Sequence, residues 1–260
     1  MTNQQTPTPV CFIAGGAAGI GAEISRLMAE FGCRVAIFDI NSSDGEKLAA
    51  ELGGRFYRTD VRDEESFTQA IDECVEEIGV PNYVSLNFGV MTVPGDSDTP
   101  YLPLESVTTE AYRRVMSINV DGVFFGLRHL IPLMRDTDSA ITITASRAAL
   151  VPTAADTIYA ASKAAILHMA RSAAVGQRNG KLRINALCPG TVDTNMLATV
   201  VREAGIPLIS AQDMAAEAVS LLKEGRNAEV RGRIHGRDAI LIGTFNSDLD
   251  YQPVEPEQPA

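Results

Sequence analysis

The stretch that decides the fold lies near the N-terminus, where residues 10–21 read VCFIAGGAAGIG. Its first five residues form a short continuous apolar run, which is typical of a strand buried on both faces. A glycine-rich turn follows, and residues 22–31 then show an apolar pattern with helical spacing. A strand, a glycine turn and a helix N-terminus together form an anion site, because backbone N–H groups and the helix dipole face a phosphate there. The pattern favours dinucleotide binding over a plain tight turn, and the lack of a following Lys-Ser/Thr excludes a P-loop.

Asp39 closes the second predicted strand, residues 34–38, and lies 18 residues after Gly21. An acidic residue about 20 residues beyond the glycine turn is typical of a group that binds the adenosine ribose hydroxyls. A 2′-phosphate at about 4–5 Å would be repelled by a few kcal/mol per charge pair, at an effective dielectric constant of about 20. No Arg or Lys in the glycine turn or at the two positions after Asp39 offsets this repulsion, so the sequence favours NAD over NADP. Capping of the next helix is the alternative role, and Ser42 or Ser43 would serve there equally well.

Strands and helices continue to alternate after Asp39. The predicted helices cover residues 43–52, 64–78, 109–134 and 159–175, and the predicted strands cover 55–59, 83–86, 140–145, 183–187 and 232–242. This alternation predicts an α/β fold: a single doubly wound Rossmann-fold domain with a mostly parallel, seven-stranded sheet that binds ligands beyond the carboxyl ends of its strands. We place the domain at residues 9–245, between a flexible N-terminus (1–8) and a disordered acidic tail (246–260).

Polar residues stand at several strand ends and inside one helix. Asp60-Val61 and Asn87-Phe88-Gly89 each follow a predicted strand, and Ser146 follows another. Asn119 lies within predicted helix 109–134, where an Asn is mildly unfavourable and therefore requires a partner, through packing or a local kink.

Tyr159 and Lys163 begin the alanine-rich helix in the sequence YAASK. Residues four apart lie on one face of a helix, so the two side chains point the same way. A phenol beside an ammonium forms a proton-transfer pair, since the cation stabilises the phenolate. A surface Tyr/Lys contact is the competing interpretation when the pair is taken alone.

Composition excludes several classes of protein. The net charge of −11 and a pI near 4.8 speak against nucleic-acid binding, because nothing resembles a basic stripe. The four cysteines are scattered, with no CxxC and no His at zinc spacing, so we predict buried free thiols and no metal site. The polar N-terminus lacks a signal-peptide core, and no apolar run approaches the roughly 20 residues that span a bilayer. We therefore expect a cytoplasmic protein without membrane partners.

Taken in this order, the motifs resemble those of the short-chain dehydrogenase/reductase family of Rossmann-fold oxidoreductases. The resemblance covers about residues 10–196. It rests on the glycine turn, Asp60-Val61, Asn87-Phe88-Gly89, Asn119-Val120, Ser146, residues 159–163, and Pro189-Gly190 through Thr194. Ser146 lies 13 residues before Tyr159, the usual family separation of the catalytic serine and tyrosine.

The resemblance implies a catalytic tetrad of Asn119, Ser146, Tyr159 and Lys163. Tyr159 would exchange a proton with the substrate oxygen while a hydride passes between the alcohol carbon and the nicotinamide. Ser146 would hold that oxygen, and Lys163 would bind the nicotinamide ribose with help from Asn119 through a water relay. A free Tyr has a pKa of about 10, and one positive charge at about 4 Å lowers it by about three units at an effective dielectric constant of about 20. Lys163 and the cationic nicotinamide are thus expected to bring the pKa of Tyr159 into the working range.

The same resemblance implies a set of cofactor-binding residues, with Thr194 at the nicotinamide carboxamide and Gly190 and Val192 beside it. The full set is Gly15, Ala18, Gly19, Ile20, Asp39, Ile40, Asp60, Val61, Asn87, Phe88, Gly89, Tyr159, Lys163, Pro189, Gly190, Val192 and Thr194.

Two motifs depart from the family pattern, at three positions. Ala14 stands where the family usually has Thr, and Leu86-Asn87-Phe88-Gly89 replaces the usual Asn-Asn-Ala-Gly. The missing threonine hydroxyl would brace the glycine turn, so we expect either a compensating fit of Phe88 or looser cofactor binding. The family's Asp-Gly-Gly strand near the C-terminus is also missing.

Two apolar segments, residues 90–107 and 195–209, predict a pocket for a hydrophobic secondary alcohol or ketone. Segment 90–107 is alternatively a surface excursion or a subunit contact. The candidate substrate residues are Met91, Arg147, Val151, Met196 and Leu197. Arg147 directly follows Ser146 and either meets an anionic substrate group or points outward, towards solvent or a subunit interface.

The leading hypothesis is an NAD-dependent dehydrogenase of a hydrophobic secondary alcohol. An NADPH-dependent carbonyl or 3-oxoacyl reductase is the alternative enzyme, and a non-catalytic dinucleotide sensor on the same fold is a third possibility. The alanine-rich face of residues 160–174 suits helix packing between subunits, which predicts a homodimer or homotetramer. His129, His168 and His235 are interpreted as helix-face or surface residues.

Overall fold

A computed structural model of the protein describes residues 8–93, 97, 99 and 101–243. The predicted segments 1–8 and 246–260 therefore lie outside the described residues, apart from Thr8. The strands are β1 (Val10–Ala14), β2 (Arg34–Asp39), β3 (Arg55–Arg58), β4 (Tyr83–Leu86), β5 (Ser139–Thr144), β6 (Leu182–Pro189), β7 (Val230–Arg233) and β8 (Ile240–Gly243). The helices are α1 (Gly19–Glu30), α2 (Ser42–Leu52), α3 (Glu64–Ile78), α4 (Thr109–Met116), α5 (Gly122–Met134), α6 (Thr157–Gly176), α7 (Thr199–Glu203) and α8 (Ala211–Glu224).

The strands form one sheet in the order β3-β2-β1-β4-β5-β6-β7-β8, which confirms the predicted doubly wound α/β fold. Neighbouring strands are parallel except for β7 and β8, which pair antiparallel. From β1 the next two strands are added on one side, and from β4 onward the strands are added on the other side. The point between β1 and β4 is therefore the topological switch point, where a crevice opens in which ligands of such folds bind.

The prediction of seven strands was wrong by one. Residues 232–242 were expected to form a single last strand, but the chain turns back between β7 and β8. Gly236 adopts a left-handed backbone conformation with φ of +70° in this turn, which a glycine accepts without steric cost. The sheet therefore has eight strands in the described part of the chain.

Helices cover both faces of the sheet. On one face, α3, α5 and α6 contribute Phe67, Leu127 and Ile166 to a buried cluster with the sheet. On the other face, α1 and α8 pack together through residues such as Met28 and Leu221. Complete burial of each such side chain contributes roughly 1.5–3 kcal/mol. The two layers hold the carboxyl ends of the strands in a fixed relative position.

Asn119 lies where the predicted helix 109–134 changes its winding. The segment is α-helical in α4 and α5, but residues Ser117–Asp121 between them form a π-helical turn. The Asn119 side chain is fully buried, and it accepts from the Val90 backbone N–H at 2.8 Å and donates to the Val90 carbonyl at 2.9 Å. The wider turn lets this side chain reach across to the loop after β4. The expected partner and local kink are both confirmed.

The described helices include none long and apolar enough to cross a membrane. Within the same residues, no group of three or more His, Cys, Asp or Glu side chains could hold a metal ion. All four cysteines are buried and free.

Candidate active site

A cavity of about 710 Å³ opens at the carboxyl ends of the parallel strands, across the switch point between β1 and β4. Every candidate cofactor and substrate residue predicted from the sequence lines this cavity, and so do Ser146, Tyr159 and Lys163. Asn119 is the exception among the predicted site residues. It is buried behind the cavity wall rather than on it.

The glycine turn after β1 is shaped by close backbone contacts. Gly15 and Gly19 have φ values of +75° and +54°, which L side chains rarely adopt. A Cβ atom on Gly21 would lie 2.0 Å from the Gly15 carbonyl oxygen, so only glycine fits there. The turn thus presents bare backbone to the cavity.

Helix α1 begins at this turn with its N–H groups uncapped. In the described structure no side chain accepts from its first turn, whereas α2, α3, α4, α6 and α8 all have a side-chain cap. The sequence also places no acidic residue in the first turn of α1. Ala18, Gly19 and Ile20 line the cavity, so the positive end of the helix dipole faces it. These residues fit the phosphates of a dinucleotide.

Asp39 is held above the glycine turn by backbone groups. Its carboxylate accepts from the Ala17 N–H and from the Asn41 N–H, each at 3.0 Å. Helix α2 is capped by Asn41, which accepts from the Asp44 N–H, rather than by Ser42 or Ser43 as the sequence suggested. Asp39 is therefore fixed at the cavity and is not used as a helix cap.

Asp60 forms an ion pair that sequence reasoning missed. Arg62 binds it through two nitrogens, with Nε 2.9 Å from Oδ1 and Nη2 2.5 Å from Oδ2. This hydrogen bonding from Arg62 lowers the pKa of Asp60 below its ordinary value. Arg62 itself lines the cavity. The i, i+2 spacing of an acid and an arginine after a strand was the available signal.

Two side chains brace the glycine turn from the neighbouring strands. Thr144 donates through Oγ1 to the Asn87 amide oxygen at 2.8 Å. The Asn87 amide nitrogen in turn donates to the Gly15 carbonyl at 3.4 Å. Phe88 packs edge to face on Phe67, with the ring centroids 6.1 Å apart. A Cβ atom on Gly122 would lie 2.9 Å from the Phe88 ring, so that glycine makes the room Phe88 occupies.

Helix α6 carries Tyr159 and Lys163 on one face, as their spacing predicted. The Lys163 ammonium nitrogen donates to the Thr144 carbonyl at 2.8 Å and lies 5.7 Å from the centre of the Tyr159 ring. A Cβ atom on Gly89 would lie 3.0 Å from that nitrogen, so the glycine leaves space for the ammonium. Asn119 donates to the Ser162 hydroxyl at 2.9 Å, and Ser162 donates to the Tyr159 carbonyl at 2.7 Å. Asn119 therefore connects to the start of α6 through Ser162.

Burial moves the pKa values of Tyr159 and Lys163 in opposite directions. It raises the pKa of Tyr159 to about 12, an effect that the Asp156 charge increases and the nearby Ser146 hydroxyl opposes. It lowers the pKa of Lys163 from 10.5 to about 8. The sequence argument places the lowered pKa of Tyr159 in the presence of both Lys163 and the cationic nicotinamide; in the protein by itself, desolvation of the phenolate is the largest effect.

Asp156 is a second residue that sequence reasoning missed. Its carboxylate is 2% exposed and caps α6 by accepting from the Tyr159 N–H at 3.0 Å. The other oxygen accepts from the N–H groups of Thr92 and Val93 at 2.7 and 3.2 Å. Arg114 donates to the Met91 carbonyl at 2.7 Å from the opposite side. The segment after β4 is thus tied directly to the helix of Tyr159. An Asp three residues before Tyr159, at an N-cap position, was the signal.

The far wall of the cavity is formed by Met91, Arg147, Val151, Met196 and Leu197. The two apolar segments contribute less than the sequence suggested. Of the described residues in 90–107, only Val90 and Met91 reach the cavity, and of 195–209 only Asn195, Met196 and Leu197 do. Residues 94–96, 98 and 100 of the first segment lie outside the described part of the chain.

Comparison with known proteins agrees with this geometry. A family model described as enoyl-(acyl carrier protein) reductase matches residues 15–231. The chain is 33% identical over 221 residues to a 3-beta-hydroxysteroid dehydrogenase of Comamonas testosteroni, covering 84% of this chain and 82% of that protein. It is 31% identical over 238 residues to a cis-4-hydroxycyclohexanecarboxylate dehydrogenase of Sinomonas cyclohexanicum, covering 86% and 93% of the two chains.

A solved structure shares the same architecture. The crystal structure of levodione reductase superimposes with a TM-score of 0.77 at 26% identity, covering 88% of this chain and 96% of that one. Together with the glycine turn, the strand-end motifs and the Ser146, Tyr159 and Lys163 cluster, these matches show that the chain belongs to the short-chain dehydrogenase/reductase family, whose members are oxidoreductases of alcohols and ketones.

Proposed function

We propose that the protein is an NAD-dependent dehydrogenase that transfers a hydride between NAD(H) and a hydrophobic secondary alcohol or ketone, with Tyr159 as the general acid and base. One observation carries the proposal. A single cavity joins an uncapped helix N-terminus, suited to phosphates, to a cluster of Ser146, Tyr159 and Lys163, suited to proton transfer.

The preference for NAD rests on Asp39. Its carboxylate is oriented by two backbone N–H groups at the cavity, where it is able to accept from the ribose hydroxyls. A 2′-phosphate in the same place would meet a fixed negative charge. Arg62 is the nearby cation that would favour NADP, but its guanidinium is engaged by Asp60. The remaining cofactor residues would be those that the family resemblance implies, from Gly15 to Thr194.

The reacting groups divide the work between them. The nicotinamide, when bound, supplies or accepts the hydride. Tyr159 would hold the proton that moves to or from the substrate oxygen, and Ser146 would hold that oxygen in place. Lys163 donates one hydrogen bond to the Thr144 carbonyl, which leaves its other N–H groups to bind the nicotinamide ribose and its charge to stabilise the phenolate. Asn119 would position this group from behind the wall.

Tyr159 needs help to act near neutral pH. Its pKa of about 12 in the protein alone leaves the phenol protonated, ready to donate in the direction of ketone reduction. Alcohol oxidation requires the phenolate. A positive charge at about 4 Å is worth about three pKa units at an effective dielectric constant of about 20, so the oxidised cofactor's ring is the group that would lower this pKa.

The substrate wall supports a hydrophobic secondary alcohol or ketone. Met91, Val151, Met196 and Leu197 present apolar side chains to the cavity, and burial of an apolar substrate body against them is favourable at roughly 25 cal/mol per Å². The two named relatives act on a hydroxysteroid and on a hydroxycyclohexanecarboxylate, both alcohols carried on a ring.

An NADPH-dependent carbonyl or 3-oxoacyl reductase is the second candidate. Arg62 on the cavity wall favours it, since release from Asp60 would free a guanidinium for a 2′-phosphate. The matching family model is described as an enoyl-(acyl carrier protein) reductase, which is also a reductase of acyl chains but acts on a carbon–carbon double bond.

A panel of cyclic and linear secondary alcohols and ketones, assayed with NAD(H) and NADP(H) side by side, tests the proposal. The absorbance of the reduced nicotinamide reports turnover. We expect activity with cyclic secondary alcohols and a preference for NAD. A preference for NADP would support the second candidate, and binding of NADH without turnover of any compound would point to a non-catalytic dinucleotide sensor.

We also propose a homodimer or homotetramer formed through α6. This helix exposes the small residues Ala161 and Ala164, and the adjoining α4 and α5 expose Tyr112 and Phe124. Small residues beside exposed aromatic rings allow close helix packing between subunits. Size-exclusion chromatography with light scattering distinguishes these assemblies from a monomer.

A further inference from the structure

Arg147 occupies a fixed place beside the reacting groups. The chain leaves β5 at Thr144, and the Ser146 hydroxyl accepts from the Ala148 N–H at 3.1 Å, which starts a 3-10 turn over Arg147–Ala149. The Arg147 carbonyl accepts from the N–H groups of Leu150 and Val151 at 2.9 and 3.2 Å and closes that turn. The backbone of Arg147 is therefore held directly after Ser146, while its exposed side chain lines the cavity.

The guanidinium of Arg147 has no hydrogen-bond or ion-pair partner among the described residues. Arg62, the other arginine on the cavity wall, is bound by Asp60. Arg114, which packs behind the wall, donates to the Met91 and Thr92 carbonyls at 2.7 and 3.3 Å. Arg147 is thus the arginine of this site whose donors are available to a ligand.

The acidic side chains of the cavity do not neutralise Arg147. Asp39 and Asp60 follow β2 and β3, on the opposite side of β1 from β5, and each is engaged as described above. Asp156 is buried and accepts from the backbone N–H groups of Thr92, Val93 and Tyr159. The half of the cavity around Ser146 therefore contains a guanidinium that is not paired with any acidic side chain of the described residues.

We propose that the substrate carries a carboxylate, which Arg147 binds while the carbinol carbon lies at Tyr159. The inference rests on the proposed function and narrows its substrate to hydroxy acids or oxo acids with an apolar body. The planar guanidinium fork matches a carboxylate in a bidentate arrangement. A single free guanidinium suits a monoanion better than a dianionic phosphate, because Lys163, the other cation nearby, is buried and donates to Thr144.

Matched pairs of alicyclic secondary hydroxy acids and their primary amides test this inference with the intact enzyme. The members of a pair share shape and carbinol and differ in charge. We expect the wild-type enzyme to prefer the acid. Arg147→Gln is expected to lower kcat/KM for the acid by roughly 10–100-fold, mainly through KM, and to change the amide by less than about threefold. Arg147→Lys keeps the charge but loses the planar guanidinium, so its kcat/KM for the acid is expected to lie between that of the wild type and that of Arg147→Gln.

Arg178→Gln is the matched control, since this arginine is exposed beyond the end of α6 and away from the cavity, and its removal changes the net charge equally. Equal losses for acid and amide in Arg147→Gln would mean a purely structural role and would overturn the inference. So would equal use of acid and amide by the wild-type enzyme. Turnover of neutral cyclic alcohols alone would refute the carboxylate while leaving the proposed dehydrogenase intact, whereas no turnover of any alcohol would refute both.

Discussion

The two halves of the cavity, one on each side of the switch point, are lined by different kinds of group. The half beneath β1, β2 and β3 is made of backbone and paired charges: a glycine turn, an uncapped helix, Asp39 held by two N–H groups and Asp60 bound by Arg62. The half beyond β4, β5 and β6 is made of side chains on loops, with Met91, Met196 and Leu197 apolar and Arg147 unpartnered among the described residues.

This difference explains why the residues of the first half are easier to predict from a sequence than those of the second. A site made of backbone restricts residue identity severely, since a Cβ atom at Gly15 would lie 2.7 Å from the Phe88 nitrogen and one at Gly21 would lie 2.0 Å from the Gly15 oxygen. A wall made of apolar side chains accepts many residue types, provided that their volumes suit the ligand. The first half therefore restricts its residue types closely, whereas the second constrains a ligand through its shape and through the charge of Arg147.

Tyr159→Phe separates chemistry from binding and has the largest expected effect. Loss of the hydroxyl removes proton transfer while both halves of the cavity stay intact, so kcat should fall by roughly 10²–10⁴-fold while NAD still binds. Steady-state kinetics and fluorescence titration with NADH measure the two quantities. Tyr57→Phe is the control, because that phenol hydrogen-bonds to Glu77 away from the cavity. Retained activity in Tyr159→Phe would refute the proposed mechanism.

Lys163→Met tests how much the buried charge of Lys163, which lies where the two halves meet, lowers the free energy of unfolding. Burial lowers the pKa of Lys163 to about 8, against about 10.4 in an unfolded chain. Below pH 8 the residue is charged in both states and the folded protein carries the whole desolvation cost. Between about pH 8 and pH 10.4 the folded protein loses the proton first, so that cost disappears as pH rises.

The variant should therefore be inactive and more stable than the wild type. We expect its gain in the free energy of unfolding to be about 2 kcal/mol smaller near pH 9.5 than at pH 7, because only the wild type loses the desolvation cost over that interval. Urea unfolding at the two pH values measures the gain. A stability difference that does not depend on pH would show that packing, rather than the buried charge, sets it.

Asp39→Ala is expected to change cofactor preference without affecting the substrate half of the cavity. Removing the carboxylate relieves the repulsion of a 2′-phosphate and removes an acceptor for the ribose, so the ratio of kcat/KM for NAD to that for NADP should fall by roughly 10–100-fold. Asp72→Ala, at an exposed aspartate that contacts His129, controls for the change in net charge. An unchanged ratio would remove Asp39 from the cofactor argument.

Asp156→Ser tests whether the loop after β4 affects substrate binding separately from cofactor binding, and it has the smallest expected effect. Serine keeps an N-cap for α6 but loses the oxygen that holds the N–H groups of Thr92 and Val93. We expect KM for the substrate to rise by about tenfold or less, while the Kd of NAD stays the same.

Two further variants identify the cause of that change. Asp156→Ala, which also loses the cap, should be less stable than Asp156→Ser by about 1 kcal/mol in urea unfolding. Asp63→Ser is the control for capping alone, since Asp63 caps α3 on the surface. A rise in the Kd of NAD equal to the rise in KM would mean that the loop does not act on the substrate half separately.

Local patterns in the sequence were sufficient for the doubly wound sheet and for many, though not all, of the residues that line the cavity. Other features depended on contacts between distant segments. The π-helical turn at Asn119 exists because that side chain reaches Val90, and the extra strand exists because the chain reverses at Gly236. The contacts of Asp156 with Thr92 and Val93 belong to the same group, because more than 60 residues separate the partners, whereas Arg62 binds Asp60 only two residues away.

The sequence by itself determined the family, the alternation of strands and helices in the doubly wound sheet, and the placement of Tyr159 and Lys163 on one face of a helix, because glycine spacing and the helical repeat act over a few residues. Only the tertiary structure decided the electrostatic state of those residues. Burial, a property of the whole packed domain, raises the pKa of Tyr159 and lowers that of Lys163, against the sign that a nearby pair of opposite charges would give. It also decided that Arg147 faces the cavity, where its charge remains available to a substrate.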